Sequence, residues 1–217
     1  MTFDKNIMQR WNSVDKIWQV VFEQCWEAFV NGSLPIGAVI TDENDVVISV
    51  GRNRLFEKEN RPLNSKIAHA EIEALHNLDI SKYPDIKTYT IYTSMEPCPM
   101  CIGAIVMANL RKVKIAARDG YAGAVHLVEQ DRYMASKNMQ IDFELDLLET
   151  ISLAMLTYRE LRYRNGELSV LEEYFEKYNP AAIAIAKALY IEKRLDWHIE
   201  NRTPFSEVFN EIANKTI

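Results

Sequence analysis

Three side chains that bind borderline metals stand in two short motifs of this 217-residue sequence. His69 opens the tripeptide HAE, and Cys98 and Cys101 form the pair in PCPMC. One imidazole and two thiolates suit Zn²⁺, which prefers four tetrahedral ligands. Because the sequence shows no fourth ligand, we predict a zinc centre with one open position for water, which is typical of catalytic sites.

The spacing of these residues restricts where helices begin. Glu71 lies two residues after His69, and at 3.6 residues per turn two such side chains point about 200° apart within a regular helix. They can converge on one site only at a helix start. Cys98 and Cys101 are three apart and share a helix face, and a helix N-terminus favours their thiolate forms.

The elements that must position these motifs follow from hydrophobic periodicity and from turn residues. Helix, strand, helix and strand succeed one another around the two motifs, which is the pattern that builds a partly parallel sheet. We therefore predict an α/β fold with a mixed sheet. Helices are predicted over 11–30, 68–78 and 98–109, and strands over 36–40, 46–50, 88–94 and 112–117.

The periodicity of apolar residues changes after residue 141. The stretches 145–163, 170–178 and 180–195 all carry helical spacing, and no low-complexity linker precedes them. We predict two units, 1–141 as the zinc-binding domain and 142–217 as a helical extension packed on it. The aromatic residues of the extension are interpreted as packing residues and not as a platform for stacking bases.

Composition narrows the class of protein. With 25 basic and 31 acidic residues the net charge is −6, which gives no global attraction to nucleic acid phosphates. Three cysteines, two of them in a tight pair, argue against a disulfide framework. Without a signal-like N-terminus or an apolar run of about 18 residues, we expect a soluble, cytoplasmic protein that does not bind membranes.

His-x-Glu combined with Pro-Cys-x-x-Cys resembles the signature of zinc-dependent nucleobase deaminases. The sequence is similar to the cytidine deaminase superfamily over about residues 15–130. The segments 35–39, 53–54, 69–72, 95–98 and 103–104 look most like the branch that holds tRNA adenosine deaminases, guanine deaminases and fungal-type cytosine deaminases. Glu96 points to the purine side of that branch. The resemblance implies a three-layer α/β/α cytidine deaminase-like fold with a mostly five-stranded sheet.

The resemblance also implies roles for individual residues. His69, Cys98 and Cys101 would hold Zn²⁺, and the zinc would activate a water molecule for attack on the amine-bearing carbon of a ring. Glu71 would carry protons from that water to a ring nitrogen and to the departing ammonia. Asn53 would hydrogen-bond the ring of the substrate, and the backbone N–H of Ala70 would contact the new oxygen.

Three functions remain open at this stage. The leading hypothesis is a deaminase of a free nucleobase or nucleoside, with a purine such as guanine or adenosine favoured. A tRNA adenosine (wobble) deaminase is the alternative, and it would need a basic surface, for which Arg111, Lys112, Lys114 and Arg118 are the candidates. A catalytically silent scaffold is the third, although an intact Glu71 argues against it.

Two departures from the family pattern border the expected pocket. The segment between Asn53 and His69 is longer than in the tRNA enzymes, and Ile67 stands where they often carry threonine. The resemblance therefore implies the catalytic mechanism but does not identify the substrate. A homodimer is expected, and the helical extension is expected either to cap the site or to form an interface.

Overall fold

The protein is described by a computed structural model, which covers residues 9–58, 62 and 65–216. Five residues of the long segment before His69, at 59–61, 63 and 64, lie outside the described residues. The first part of the chain forms one mixed sheet with helices on both faces. Its strands are β1 (Gly37–Thr41), β2 (Val47–Arg52), β3 (Thr90–Thr93), β4 (Lys112–Ile115) and β5 (Gln140–Phe143).

The strands lie in the order β2-β1-β3-β4-β5. β1 is antiparallel to both β2 and β3, whereas β3, β4 and β5 run parallel. The helices of this part are α1 (Gln9–Ser13), α2 (Lys16–Val30), α3 (Ala70–Asn77), α4 (Pro99–Met107), α5 (Leu127–Gln130) and α6 (Arg132–Ala135). The predicted α/β fold with a mixed five-stranded sheet is confirmed.

The alternation of side chains along β1 separates two hydrophobic cores. Val39 packs with α2 on one face, and Ala38 and Ile40 pack with α3 on the other. Because apolar residues on both faces of a strand need cover, helices lie above and below the sheet. This is the three-layer arrangement expected from the sequence.

The helix predicted over 11–30 is two helices, and the prediction of a single one was wrong. Asp15 interrupts it, since its side chain accepts the N–H of Ile17 at 2.8 Å and caps α2. Trp11 belongs to α1, and its ring lies 5.4 Å from that of Phe205 near the C-terminus. The break therefore lets the first turn of the chain pack against the last helix.

Among the described residues, the C-terminal extension forms five helices that share one hydrophobic core with α2. Phe22 of α2 contacts the rings of Phe205 and Phe209, which fixes the end of the chain on the core. β5 crosses the predicted boundary at residue 141, so that the sheet ends at Phe143; the division into two domains stays a prediction. The helices are α7 (Leu147–Tyr163), α8 (Val170–Glu176), α9 (Pro180–Ile191), α10 (Arg194–Glu200) and α11 (Phe205–Asn214).

Two features of the extension were not predicted. The pattern over 180–195 is not one helix, because Lys193 adopts a left-handed conformation (φ 51°) that separates α9 from α10. Helix α11 was also missed, although the Thr203-Pro204 pair just before it is a signal for a helix start. None of the helices in the described ranges is long and apolar enough to cross a bilayer.

Candidate active site

The side chains of His69, Cys98 and Cys101 meet between the starts of α3 and α4. The two sulfur atoms lie 3.5 Å apart, and His69 Nδ1 lies 3.7 Å from Cys98 Sγ and 3.6 Å from Cys101 Sγ. Tetrahedral zinc with bonds of about 2.0–2.3 Å separates its ligand atoms by about 3.3–3.8 Å. These three residues therefore fit a zinc ion, and we call them the metal cluster.

Helix starts bring the cluster together, as the spacing predicted. His69 is the N-cap of α3 (φ −80°, ψ 156°) and Cys98 is the N-cap of α4 (φ −69°, ψ 172°). Both residues are extended, so each helix begins just after its ligand and not at the predicted residues 68 and 98. Pro99 suits the first turn of α4 because it has no N–H to satisfy.

The thiols of the cluster interact strongly with each other. The Cys98 and Cys101 thiols are hydrogen-bonded to each other at 3.5 Å, and this contact lowers the pKa of the Cys98 thiol to about 4 despite partial burial. The same hydrogen bond, together with burial, raises the pKa of Cys101. Thiolates are the form in which cysteines bind a divalent cation, and a lowered pKa at Cys98 favours that form.

Glu71 is buried beside the cluster. It is the second residue of α3, its Oε1 accepts a hydrogen bond from the Thr93 hydroxyl at 3.2 Å, and its carboxyl group lies within hydrogen-bonding reach of the Cys101 thiol. Burial raises the pKa of this carboxyl group. The helix start resolves the geometric problem posed by the spacing, because His69 lies outside the helical turn in which Glu71 stands.

Asn53 lies at the end of β2 against the segment that leads to His69. The N–H of the next residue, Arg54, donates to the carbonyl oxygen of Ala68 at 2.9 Å. Asn53 is 1% exposed, and its side-chain oxygen accepts hydrogen bonds from the Ser33 hydroxyl at 2.7 Å and from the Leu55 N–H at 3.0 Å. Ser33 was not singled out from the sequence, because no local pattern links it to Asn53.

Ala70 lies at the start of α3, whereas Glu96 contacts the loop after β4. Ala70 is the first residue of α3, so its N–H has no acceptor within the helix and is directed toward the helix start. The carboxylate of Glu96 accepts the N–H groups of Asp119 and Val125 at 3.2 and 3.4 Å. Glu96 therefore holds the loop after β4.

The basic residues proposed as an RNA surface do not form one patch. Arg111 and Lys112 are at the start of β4, the end opposite to Arg118. Lys114 pairs with Glu144 at 2.9 Å, and Arg118 pairs with Glu149 at 2.7 Å. Acidic partners thus neutralise two of the four candidate cations.

A protein-family model matches the part of the chain that contains the metal cluster. Residues 12–117 match the cytidine and deoxycytidylate deaminase zinc-binding region. The match includes the metal cluster, Glu71 and Asn53, and it ends before the helical extension. The chain belongs to the cytidine deaminase superfamily and is a zinc-binding member of this class of hydrolytic deaminases.

Individual relatives are similar over the same part of the chain. A tRNA-specific adenosine deaminase of Rickettsia bellii is 38% identical over 112 residues, which are 51% of this chain and 72% of that protein. The tRNA-specific adenosine deaminase of Bacillus subtilis is 33% identical over 141 residues, 60% of this chain and 80% of the relative. A cytosine deaminase of Candida albicans is 32% identical over 105 residues, 48% of this chain and 67% of the relative.

Solved structures agree on the fold. A structure from studies of A-to-I editing by tRNA:A34 deaminases superposes with a TM-score of 0.53 at 26% identity, covering 64% of this chain and 98% of that one. A mutant of the protein NE0047 in complex with 8-azaguanine gives a TM-score of 0.51 at 23% identity, covering 66% and 83%.

Proposed function

We propose that this protein is a zinc-dependent hydrolytic deaminase that removes an exocyclic amine from a nucleobase ring. The observation that carries the proposal is the convergence of three ligand atoms within 3.7 Å of one another beside a buried glutamate. In this proposal His69, Cys98 and Cys101 are the zinc ligands. Glu71 is the proton-transfer residue, and Asn53 and the backbone N–H of Ala70 bind the substrate.

The chemistry assigned to these residues is general acid–base catalysis. Zinc, when bound, lowers the pKa of a coordinated water toward about 7. Glu71 accepts a proton, passes it to a ring nitrogen and then helps to protonate the leaving ammonia. Its burial keeps bulk water away from the transferred proton. Asn53 orients the ring through its amide, and the Ala70 N–H donates to the oxygen that replaces the amine.

Adenosine in tRNA is the substrate best supported by the comparisons. Relatives named tRNA-specific adenosine deaminase reach 38% identity and up to 80% coverage of their own length. This changes the order of the hypotheses drawn from the sequence, where a free base or nucleoside was placed first. RNA binding would then depend on local contacts, because the net charge is −6.

A free nucleobase or nucleoside remains the second candidate, and a specific feature of the structure favours it. The arginines that flank Asn53 are occupied, since Glu57 pairs with both Arg52 and Arg54. Cations that are already paired offer less to RNA phosphates than unpaired ones. The similarity to a cytosine deaminase is in keeping with a small substrate.

Ammonia release from a panel of substrates decides between these candidates. The panel contains adenosine, guanine, cytosine, cytidine and an anticodon stem-loop with adenosine at the wobble position, each with and without a zinc chelator. Turnover of the stem-loop alone would establish the tRNA substrate, and turnover of free bases or nucleosides alone would exclude it. No release from any substrate by zinc-loaded protein would contradict the proposal and favour a silent scaffold.

The assembly state is a separate prediction. The family resemblance implies a homodimer, and light scattering of the purified protein would test it. A mass of one chain, 25.1 kDa, would contradict the prediction.

A further inference from the structure

The helical extension reaches the loop that follows Asn53. Arg159 of α7 places its guanidinium carbon 4.4 Å from the centre of the Phe56 ring and 4.8 Å from that of Tyr163. The two rings are themselves 6.4 Å apart. Phe56 stands three residues after Asn53, so this contact joins the extension to the loop that would read the substrate.

Arg159 is a rigid support for the ring. The residue is 7% exposed although it carries a charge, and its Nη1 donates to Glu160 Oε1 at 2.6 Å. A buried, paired guanidinium has little freedom to move, and it is attracted to the face of an aromatic ring. Arg159 of α7 therefore holds the ring of Phe56, which lies on a loop and is 39% exposed.

A chain of hydrogen bonds leads from Phe56 to the amide of Asn53. The Phe56 N–H donates to Ser33 Oγ at 3.2 Å, and the Ser33 hydroxyl donates to Asn53 Oδ1 at 2.7 Å. Leu55 N–H donates to the same oxygen at 3.0 Å. Two donors on Oδ1 fix which side of the amide is oxygen and which is NH₂. Within the described ranges the Asn53 NH₂ group makes no hydrogen bond, so it is available to a ligand.

We propose that Arg159 is a positioning residue for substrate recognition. By holding Phe56 it fixes the loop whose hydrogen bonds set the orientation of the Asn53 amide. This inference rests on the proposed function, since it takes Asn53 as a substrate contact. Arg159 lies outside residues 12–117, the part matched by the family model, so the device would belong to the extension of this chain.

The primary test is a set of kinetic measurements on Phe56 variants. Arg159→Met also leaves Glu160 without its cation, so Phe56→Leu is the cleaner change. We expect Phe56→Leu to lower kcat/KM about tenfold, mainly through KM, and Phe56→Tyr, which keeps the ring, to stay within about twofold. The matched control is Arg162→Gln on the same helix, because Arg162 pairs with Asp196 and its side chain is 47% exposed.

A double-mutant cycle separates positioning from general destabilisation. If Arg159 and Phe56 act through Asn53, Phe56→Leu adds less than about twofold in an Asn53→Ala background. The same loss in both backgrounds would overturn the inference, as would an unchanged kcat/KM in Phe56→Leu. An Asn53→Ala enzyme with wild-type kcat/KM would overturn the substrate role of Asn53 and the inference with it.

Hydrogen exchange supplies a readout that needs no substrate. Arg159→Met and Phe56→Leu should speed exchange of the amides over residues 54–58, because the Leu55 and Phe56 N–H groups lose fixed acceptors. Peptides from α4 should be unchanged. Unchanged exchange over 54–58 in both variants would overturn the inference, whereas failure of the proposed function alone would appear as absent turnover with the exchange effect present.

Discussion

Two clusters in this molecule each combine a histidine with a glutamate, and they differ in how their polar atoms are paired. At the metal cluster, the ligand atoms of His69, Cys98 and Cys101 lie within 3.7 Å of one another beside the buried Glu71. In the extension, the Glu211 carboxylate accepts hydrogen bonds from His198 at 2.8 Å and from Arg194 at 2.7 and 2.9 Å.

The opposite shifts of the two carboxyl groups follow from this difference. Burial raises the pKa of Glu71, which has one neutral hydroxyl donor and adjacent sulfur atoms. Burial also opposes ionisation of Glu211, but the hydrogen bonds from His198 and Arg194 outweigh it and lower the pKa to about 2. Residue types alone therefore do not distinguish the two clusters, whereas the pairing of their polar atoms does.

Removal of a ligand should produce the largest effect. Cys101→Ala should abolish zinc binding and lower turnover by about a thousandfold or more, because the metal supplies several kcal/mol of transition-state stabilisation. Zinc content measured by atomic emission, together with ammonia release, checks this. Cys25→Ala is the control, since Cys25 is buried in α2 away from the cluster. Full zinc content in Cys101→Ala would rule out its role as a ligand.

Loss of the Asn53 amide should have the next largest effect. If Asn53 binds the ring as proposed, Asn53→Ala removes one hydrogen bond to it, and we expect kcat/KM to fall about 10- to 100-fold with zinc content unchanged. Asn31→Ala provides the matched control, because Asn31 is exposed and its side chain donates to the Glu27 carbonyl oxygen of its own helix. Equal kinetics for both variants would show that Asn53 is a turn residue.

The Glu211 cluster should affect stability and leave catalysis intact. The folded pKa of Glu211, about 2, lies below the ordinary value of 4.5, so its ionisation stabilises the fold above about pH 5 and this contribution is lost as the pH falls toward 2. Glu211→Gln should therefore cost on the order of 2 kcal/mol at pH 7 and progressively less in acid. Urea unfolding at several pH values measures this.

Glu207→Gln on the exposed side of the same helix is the control for that measurement. A cost for Glu211→Gln that stays constant from pH 7 to pH 3 would show that the charge of Glu211 is not what stabilises the extension. A large change in turnover at pH 7 would contradict its separation from the active site.

The sequence predicted the metal cluster and the first four strands because both depend on local signals. Spacing placed His69 and the cysteines at helix starts, and short β-branched runs indicated the strands. Strand β5 was not predicted, because its residues are mostly exposed and form no apolar run. Ser33 contacts Asn53 across 20 positions of the sequence, and Arg159 contacts Phe56 across 103 positions. No local pattern encodes such contacts. The division of the first helix at Asp15 was missed because hydrophobic spacing continues across the cap.

The proposed function makes Glu71 the proton-transfer residue at a zinc site that other residues hold. Ammonia release, per bound zinc, by wild-type protein and by Glu71→Gln on the substrate that the panel identifies measures this role. We expect one zinc per chain in both proteins and a rate in Glu71→Gln lower by at least about a thousandfold. A zinc-loaded Glu71→Gln protein that releases ammonia at the wild-type rate would contradict it.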